Sequence, residues 1–519
     1  MNREKVQSAG PKNIVICSDG TGNTANKNRG TNVFKLYEAI DLIEPTQGSG
    51  LPKQIAIYDD GVGTETFKPL RLLGGAFGWG LSRNVKELYA GLVRSYRPND
   101  KIFLFGFSRG GFTVRALGGF ITWCGILRED QFDTDADLVA AVKEAYSVYR
   151  TKYMTGARQQ LRQLRGEKTS MSRHDVTMAR FHERYQFYDT KEIAFIGVWD
   201  TVDAVGLPFD QLADFINYFI YPFKFSEHTL HPDVQQARHA LSIDDERDTF
   251  QPLMWTENTQ EDHDRIKQVW FAGVHSNVGG GYPKQGMSLV SLRWMMAEAE
   301  NAGLRFVSAD RDYCRDHENV NDKLYNSRAG LAVYYRYKPR DISRLCREAN
   351  TKAVVHETVI DRIVQRTEGY APGNLPAGMT LVGTGTETMR RPDAAAVIDT
   401  EYGSSDTSLL DRARGLSWIR RRSHYIFLGL TLWALWVAAE RALPADDTIT
   451  RLSALFSLEL PSVLVKALLE DRVFDGIIIG VAIFFLVSTW AEKSMRRRFS
   501  GFWHVVVPRF SGVESKTPQ

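Results

Sequence analysis

The chain has 519 residues, of which 43% are hydrophobic and 24% charged, a composition that leaves room for one large globular domain or two to three smaller ones. The formal net charge of +3 excludes the strongly basic balance of many nucleic-acid-binding proteins, so we expect no nucleic-acid partner. Four scattered cysteines show neither Cys-x-x-Cys spacing nor the density of a disulfide scaffold, which indicates reduced thiols in a cytosolic compartment.

Five short β-rich runs occur along the chain, and each ends in a polar or glycine-rich turn. In chain order they are "NIVICSDGTGN", "QIAIYDDGVG", "KIFLFGFSRG", "IAFIGVWDTV" and "QVWFAGVHSNVGGG". Near-continuous apolar strands with helical stretches between them are typical of a parallel sheet covered on both faces. The sequence therefore predicts a three-layer α/β domain over residues 1–400, with a mostly parallel sheet. The residues that follow the runs are expected on one sheet edge: Asp19, Asp60, Ser108, Asp200 and His275.

Two insertions are predicted within this domain. Residues 129–190 are polar with a helical pattern, and residues 207–240 include the aromatic-rich stretch "DFINYFIYPFKF". The aromatic residues either pack in the core or line an apolar substrate pocket. Further strand-like pieces between residues 303 and 398 complete or flank the domain.

Ser108 lies in the pentapeptide "GFSRG", between a predicted strand and a predicted helix. Such a strained turn lets a serine project above the sheet as a nucleophile when its neighbours are small, and Gly106 and Gly110 provide that room. The backbone N–H of Arg109 would then face a developing oxyanion at the helix N-terminus. The alternative is an ordinary serine in a tight turn.

A serine nucleophile needs a base, and an orienting carboxylate is expected between the two in the chain. His275 follows a strand and precedes three glycines, so we predict that it is the base; the alternative is a loop histidine bonded to backbone. Asp200 has the position and order expected of the acid, with Asp203 as its main competitor.

The second oxyanion donor is expected in the glycine-rich loop "CSDGTGN", where the N–H groups of Gly20 and Thr21 are candidates. Asp19 and Asp60 are expected to brace the loops. An aspartate-nucleophile phosphatase is disfavoured because Cys17 stands where its nucleophile would be, and a P-loop because no Lys-Ser or Lys-Thr pair follows the glycines. A metal site formed by Asp19, Asp59, Asp60 and His275 is conceivable, but their spacing does not demand it, so we predict neither metal nor cofactor.

The C-terminal hundred residues differ from the rest. Residues 424–443 and 473–491 are each apolar over about the length that spans a bilayer. Basic residues flank the pair on its outer sides, at Arg412, Arg414, Arg420, Arg421, Arg422, Lys493, Arg496, Arg497 and Arg498. The positive-inside rule then places both ends in the cytoplasm. We expect a linker and basic collar at 401–423 and a two-span membrane hairpin within 424–519, with two buried soluble helices as the alternative.

Six ordered motifs resemble the α/β-hydrolase family of type VI secretion phospholipase effectors. They are "SDGTGN", "YDDGVGT", "GFSRGGFTVRAL", "FIGVWDTVDAVG", "SIDDERDTFQP" and "WFAGVHSNVGGGY", and the resemblance extends over residues 13–376, including "LYNSRAGLAVYYRYKPR". It implies a Ser-Asp-His esterase acting on glycerophospholipids, with Ser108, Asp200 and His275 as the triad. The resemblance also implies an aspartate at position 277, where this chain has Asn277. If the carboxylate of that aspartate contributes to catalysis or metal binding in the family, the activity of this protein would be impaired.

These observations predict a serine esterase anchored by two spans in the cytoplasmic membrane, with its catalytic domain on the cytoplasmic side and membrane lipid as substrate. The membrane hairpin and the aromatic insertion favour a lipid over a small soluble ester. The alternative is a catalytically lapsed, membrane-tethered binding or scaffold module. The sequence identifies no protein partner.

Overall fold

The computed structural model describes residues 10–20, 30–46, 49–61, 75–151, 173–189, 192–202, 228–404, 415–442 and 472–510. Within these ranges eight strands form one sheet, in the order β2-β1-β3-β4-β5-β6-β7-β8. Every neighbouring pair is parallel. The strands are β1 Lys12–Ser18, β2 Lys53–Asp59, β3 Lys101–Phe107, β4 Ile193–Trp199, β5 Ala237–Ser242, β6 Ile266–Phe271, β7 Val354–His356 and β8 Thr380–Val382.

Fourteen α-helices lie in the described ranges. They are α1 Asn32–Ala39, α2 Gly75–Ser95, α3 Arg109–Cys124, α4 Asp135–Thr151, α5 Arg173–Arg184, α6 Gln260–Arg265, α7 His275–Gly279, α8 Gly286–Asn301, α9 Ser308–His317, α10 Ile342–Glu348, α11 Thr358–Gln365, α12 Ala394–Ser404, α13 Ser417–Ala442 and α14 Arg472–Val506. Short 3₁₀ turns add Glu129–Gln131, Asp248–Phe250, Gly330–Tyr334, Thr367–Gly369 and Val507–Arg509.

The central strands are buried on both faces, and this burial produces three layers. Alternate residues of β1 belong to separate apolar clusters: Val15 packs with residues of α1 and α8 on one face, whereas Ile14 and Ile16 pack with α2, α3 and α4 on the other. The period-2 alternation of a strand thus divides one apolar run between two cores. The predicted α/β architecture with a mostly parallel sheet is confirmed.

The strand order reverses between β1 and β3. From β1 the chain moves to β2 on one side, and then crosses over to β3 on the other side. A crevice forms outside the carboxyl ends of the strands at such a switch point, and ligands bind there in open parallel sheets. The turns that contain Gly20 and Ser108 both leave the sheet at this point.

The structure refines the predicted insertions. Helices α4 and α5 lie in the first one, whereas the aromatic stretch at 214–225 lies outside the described residues. The central strand β5 begins at Ala237, within the last residues of the segment predicted as the second insertion, near 207–240. The sequence pattern does not predict β5, because its sequence, "ARHALS", contains a charged residue and a histidine; both are buried in the structure.

Helices α13 and α14 pack against each other as an antiparallel pair, with the rings of Phe427 and Phe484 stacked at 4.6 Å. The basic residues Arg420–Arg422, which we assigned to a collar, form the first turns of α13. Among the described residues, one helix is long and apolar enough to cross a membrane by length and composition: Asp475–Arg509, with a mean hydropathy of 1.6 over its most apolar window.

Candidate active site

Ser108 lies in a strained turn between β3 and α3. Its φ of 58° and ψ of −121° are unusual for a non-glycine residue. Its N–H donates to the carbonyl oxygen of Trp199 over 3.0 Å, which continues the β3–β4 ladder by one residue. A methyl group at Gly106 would collide with the backbone of Gly110, and one at Gly110 with the carbonyl oxygens of Ser18 and Asp19. The turn therefore needs glycine on both sides of the serine, as a nucleophile elbow does.

His275 begins α7, directly beyond the loop that follows β6. Its Nε2 lies 2.8 Å from the Oγ of Ser108. The imidazole packs against the rings of Phe107, at a centroid distance of 4.6 Å, and of Phe250, at 5.1 Å. The backbone N–H of His275 donates to Oδ2 of Asp245 over 3.2 Å. Contacts on the ring and on the backbone thus fix its orientation toward the serine.

Asp200 follows β4, also in a left-handed backbone conformation, with a φ of 40°. Its Oδ2 lies 2.6 Å from Nδ1 of His275. The backbone N–H of Ser242 donates to Oδ1 over 2.9 Å, and the Ser242 hydroxyl donates to Oδ2 over 3.2 Å. Arg340 donates through both terminal nitrogens, over 2.6 and 2.8 Å. The carboxylate is fully buried and every oxygen is bonded.

The charges around these groups favour an ionised acid and a neutral base. Burial opposes ionisation of Asp200, but the Arg340 guanidinium and the His275 imidazole more than offset it, and they hold the pKa of the carboxyl well below its usual range. Burial also lowers the pKa of His275 below its ordinary value of 6.5, against the opposite pull of Asp200. A neutral His275 with Nδ1–H donated to Asp200 leaves Nε2 free to accept the proton of Ser108.

The expected oxyanion donors are only partly described. Arg109 is the first residue of α3, where backbone N–H groups have no acceptor within the helix. The N–H of Gly20 donates to Oδ1 of Asp19 over 2.6 Å, and Thr21 lies outside the described residues. The other carboxylate oxygen of Asp19 accepts the hydroxyl of Tyr58 over 2.8 Å, so Asp19 does brace this loop.

Other residues singled out from the sequence lie apart from this hydrogen-bond chain. Asp60 is exposed, and it is Asp59 that accepts bonds from Ser18 and Asn84. Asp203 lies outside the described residues. Across the described parts of the chain, no group of three or more His, Cys, Asp and Glu side chains is placed to hold a metal ion.

The Asn277 side chain fixes the loop rather than contacting the three residues. Its amide nitrogen donates to the carbonyl oxygen of Lys323 over 3.0 Å, and its oxygen accepts the N–H groups of Val274 and Tyr325. The side chain is 1% exposed. An amide supplies both the donor and the acceptor that this backbone needs, whereas an ionised carboxylate would only accept.

Sequence reasoning missed Arg340, Ser242 and Asp245. Asp245 belongs to the motif "SIDDERDTFQP" and Arg340 ends the segment "LYNSRAGLAVYYRYKPR", so the resemblance contained both without giving them a role. Nothing in the spacing of these residues relates them to Asp200. Only the fold brings Arg340 to a partner 140 positions earlier in the chain.

Comparisons with known proteins identify a family for much of the chain. The family model described as the catalytic domain of the Tle1-like phospholipase effectors of the type VI secretion system matches residues 12–298, which is more than half of the chain. An uncharacterized protein of Saccharomyces cerevisiae is 28% identical over 263 residues, which are 48% of this chain and 33% of the yeast protein. The matched family range contains Ser108, Asp200 and His275. The chain belongs to the family of the Tle1-like phospholipase effector catalytic domain.

Proposed function

We propose that this protein is a membrane-anchored serine esterase with an α/β-hydrolase fold that hydrolyses acyl esters of phospholipids. The observation that carries the proposal is the unbroken hydrogen-bond chain from Ser108 Oγ through His275 to Asp200, with the serine on a strained turn. A hydroxyl, a neutral imidazole and an ionised carboxylate in this order form the arrangement of a catalytic triad.

Each residue has a defined role in the proposed reaction. The Ser108 Oγ attacks the acyl carbon while His275 Nε2 takes its proton, and Asp200 holds Nδ1–H and stabilises the imidazolium that forms. The tetrahedral oxyanion is bound by the N–H of Arg109 and by an N–H of the Gly20–Thr21 loop. His275 then protonates the departing alcohol. Water, activated by the same imidazole, cleaves the acyl-enzyme and releases the fatty acid.

Gly20 must change its partner in order to serve as an oxyanion donor. Its N–H is directed at the carboxylate of its neighbour Asp19 in the structure. Catalytic hydrogen bonds are often poorly aligned before substrate binds, and an oxyanion supplies the charge that would draw the N–H away. The N–H of Arg109 is already placed by the helix that it begins.

The lipid substrate and the membrane anchor are supported by the surface of α13 and α14. Large apolar side chains on both helices are exposed, among them Ile426, Leu432, Trp433, Ile479, Ile483, Leu486 and Trp490. Exposed apolar side chains along a helix of this length are typical of contact with a membrane or with another protein, and the basic residues at both outer ends favour the membrane. We propose that the two helices are the two spans, with both basic ends and the catalytic domain on the cytoplasmic side.

The helical pair is also attached to the catalytic domain. Trp503, in the last turns of α14, donates its indole N–H to the carbonyl oxygen of Pro372 over 2.9 Å, and Arg420 of α13 forms an ion pair with Glu246. Trp503 is 2% exposed. In the proposed arrangement, the catalytic domain is therefore held at the membrane surface that contains its substrate.

Covalent labelling tests the proposed nucleophile. A fluorophosphonate probe is expected to label the detergent-purified full chain, and neither Ser108→Ala nor His275→Ala. Ser276→Ala, next to the proposed base, is the matched control and should label as the wild type does. A wild type that stays unlabelled where a reference serine hydrolase reacts would overturn the triad and leave the lapsed binding module as the better account.

Cysteine accessibility tests the proposed topology, because all four native cysteines are buried. A cysteine introduced at Asp447, between the two helices, should react with a membrane-impermeant maleimide added to intact spheroplasts. One introduced at Ser515, after α14, should react only after the membrane is opened. Equal reactivity of the two positions in intact cells would contradict two spans with cytoplasmic ends.

A further inference from the structure

A buried arginine, Arg340, holds the carboxylate of Asp200 together with His275. Both side chains of the ion pair have no exposed surface, and the guanidinium donates to both carboxylate oxygens. The same two nitrogens donate to the carbonyl oxygens of Ser242 and Phe250, over 2.6 and 2.7 Å. Such fork-shaped, two-bond contacts set the plane of a carboxylate as well as its charge.

Hydrogen bonds also fix the backbone around Arg340. Residues 336–338 pair with residues 246–248: Asp248 N–H donates to the carbonyl of Arg336 over 2.9 Å, and Lys338 N–H to that of Glu246 over 2.8 Å. The Asn374 amide donates to the carbonyl of Arg340 over 3.1 Å. Within the described part of the chain the Nε of Arg340 has no hydrogen-bond partner, so the two terminal nitrogens make the bonds that direct the guanidinium.

We propose that Arg340 is a positioning residue for the hydrolysis: it fixes the plane of Asp200 and keeps the Asp200–His275 pair from taking up a proton. This inference rests on the proposed serine-esterase function and assigns a role in it to a residue outside the family-matched range of 12–298.

The sign of the effect follows from the charges. With Arg340 present, an ionised Asp200 and a neutral His275 leave the buried cluster neutral. Without the positive charge of Arg340, Asp200 and His275 together carry a net negative charge in the interior. Uptake of one proton by this pair neutralises that charge and is therefore favoured. Loss of Arg340 therefore raises the apparent pKa at which the base becomes protonated, and the acidic limb of the activity profile moves to higher pH.

Other charged groups face the pair and stay in place in the variants. Asp245 and Arg247 lie on the loop beside His275 and are bonded to each other, over 2.8 Å, so their charges largely balance. His239 of β5 lies near Asp200, but its Nε2 accepts the N–H of Thr201, and burial lowers its pKa to about 3. Arg115, whose charge acts on His239, has its guanidinium over the ring of Trp255, at 4.4 Å from the centroid. None of these groups replaces a guanidinium on both oxygens of Asp200.

The test compares Arg340→Gln and Arg340→Lys with the wild type in the detergent-purified full chain. The readout is kcat/KM for a water-soluble ester as a function of pH, with active sites counted by fluorophosphonate titration. Arg340→Gln retains hydrogen bonding without charge, and its acidic limb is expected to move up by about 1 to 3 pH units. Arg340→Lys retains the charge, so its limb should stay near that of the wild type while kcat falls by about 10-fold to 100-fold at nearly unchanged KM.

Arg362→Gln is the matched control, because Arg362 is also fully buried and donates to the carbonyl oxygen of Asp322 over 2.8 Å, away from the three residues. It should lower stability without moving the acidic limb. An Arg340→Gln limb that coincides with that of the wild type would overturn the proposal. If Arg340→Gln does not fold, the test rests on Arg340→Lys. A kcat per titrated active site equal to that of the wild type in Arg340→Lys would then overturn the proposal.

These outcomes differ from a failure of the proposed function itself. If the wild type shows no activity that Ser108→Ala removes, the esterase assignment fails before Arg340 is tested. If that activity is present and the Arg340 variants behave as Arg362→Gln does, the esterase stands and Arg340 is structural only.

Discussion

The turn that contains Ser108 leaves no space for a side chain at Gly110, and Gly110→Ala tests this directly. A methyl group there would overlap the carbonyl oxygens of Ser18 and Asp19, which are backbone atoms that cannot rotate away. Overpacking of this kind costs about 1 to 3 kcal/mol of stability. Relief of the overlap must move either the start of α3 or the end of β1, and both border the proposed oxyanion site.

The expected result for Gly110→Ala is a fluorophosphonate labelling rate lowered by about 100-fold, because a displacement of about 1 Å at a reacting group has that effect. Gly91→Ala in α2 is the matched control, because its methyl group would meet only the flexible tip of the Ile57 side chain, at 3.3 Å. The labelling rate of this variant should not change, and its stability should stay within about 1 kcal/mol of that of the wild type. Normal labelling together with an unchanged Tm in Gly110→Ala would refute the steric reasoning.

Three further results are expected. Burial lowers the pKa of His275, and only the neutral ring acts as a base. The acidic limb of kcat/KM as a function of pH should therefore have an apparent pKa below 6.5. An acidic limb with an apparent pKa above 6.5 would contradict this. Burial raises the pKa of Asp244 to about 6, so the stabilisation that its neutral form provides is lost as pH rises through that value. Asp244→Asn should therefore gain about 2 kcal/mol more in urea unfolding at pH 8 than at pH 4, and an equal effect at the two pH values would contradict the raised pKa. Trp503→Ala should lower the Tm of the full chain, because it removes a buried indole that contributes about 3 kcal/mol of stability. Trp490→Ala should not lower the Tm, because that side chain is 58% exposed. Equal effects of the two substitutions would argue against docking of α14 on the catalytic domain.

The layer architecture was predictable because it depends on local pattern. Five of the eight strands are near-continuous apolar runs, and the strand ends bring Ser108, Asp200 and His275 to one edge of a parallel sheet. Two further features of the sequence predict the roles of these residues: their order along the chain and the glycines on both sides of the serine. The residues that follow strands were therefore visible in the sequence alone.

The surroundings of Asp200 were not predictable, since they depend on contacts between distant segments. Arg340 belongs to an irregular segment with a 3₁₀ turn, where the sequence predicts strand-like pieces. It reaches Asp200 only because that segment pairs with residues 246–248. β5 was missed for a related reason: Arg238 is buried against Glu298, and His239 accepts the N–H of Thr201, so tertiary partners make polar residues acceptable in a central strand.

Hydrolysis of phospholipid vesicles is the decisive measurement for a lipid esterase that uses Ser108 as its nucleophile. The purified full chain and its Ser108→Ala variant would be incubated with vesicles of phosphatidylethanolamine and phosphatidylglycerol, and fatty acid and lysophospholipid measured by mass spectrometry. We expect release of fatty acid by the wild type and none above background by Ser108→Ala. Intact phospholipids in the presence of a wild type that binds the vesicles and turns over short soluble esters would contradict a lipid substrate, and equal release by both proteins would contradict Ser108 as the nucleophile.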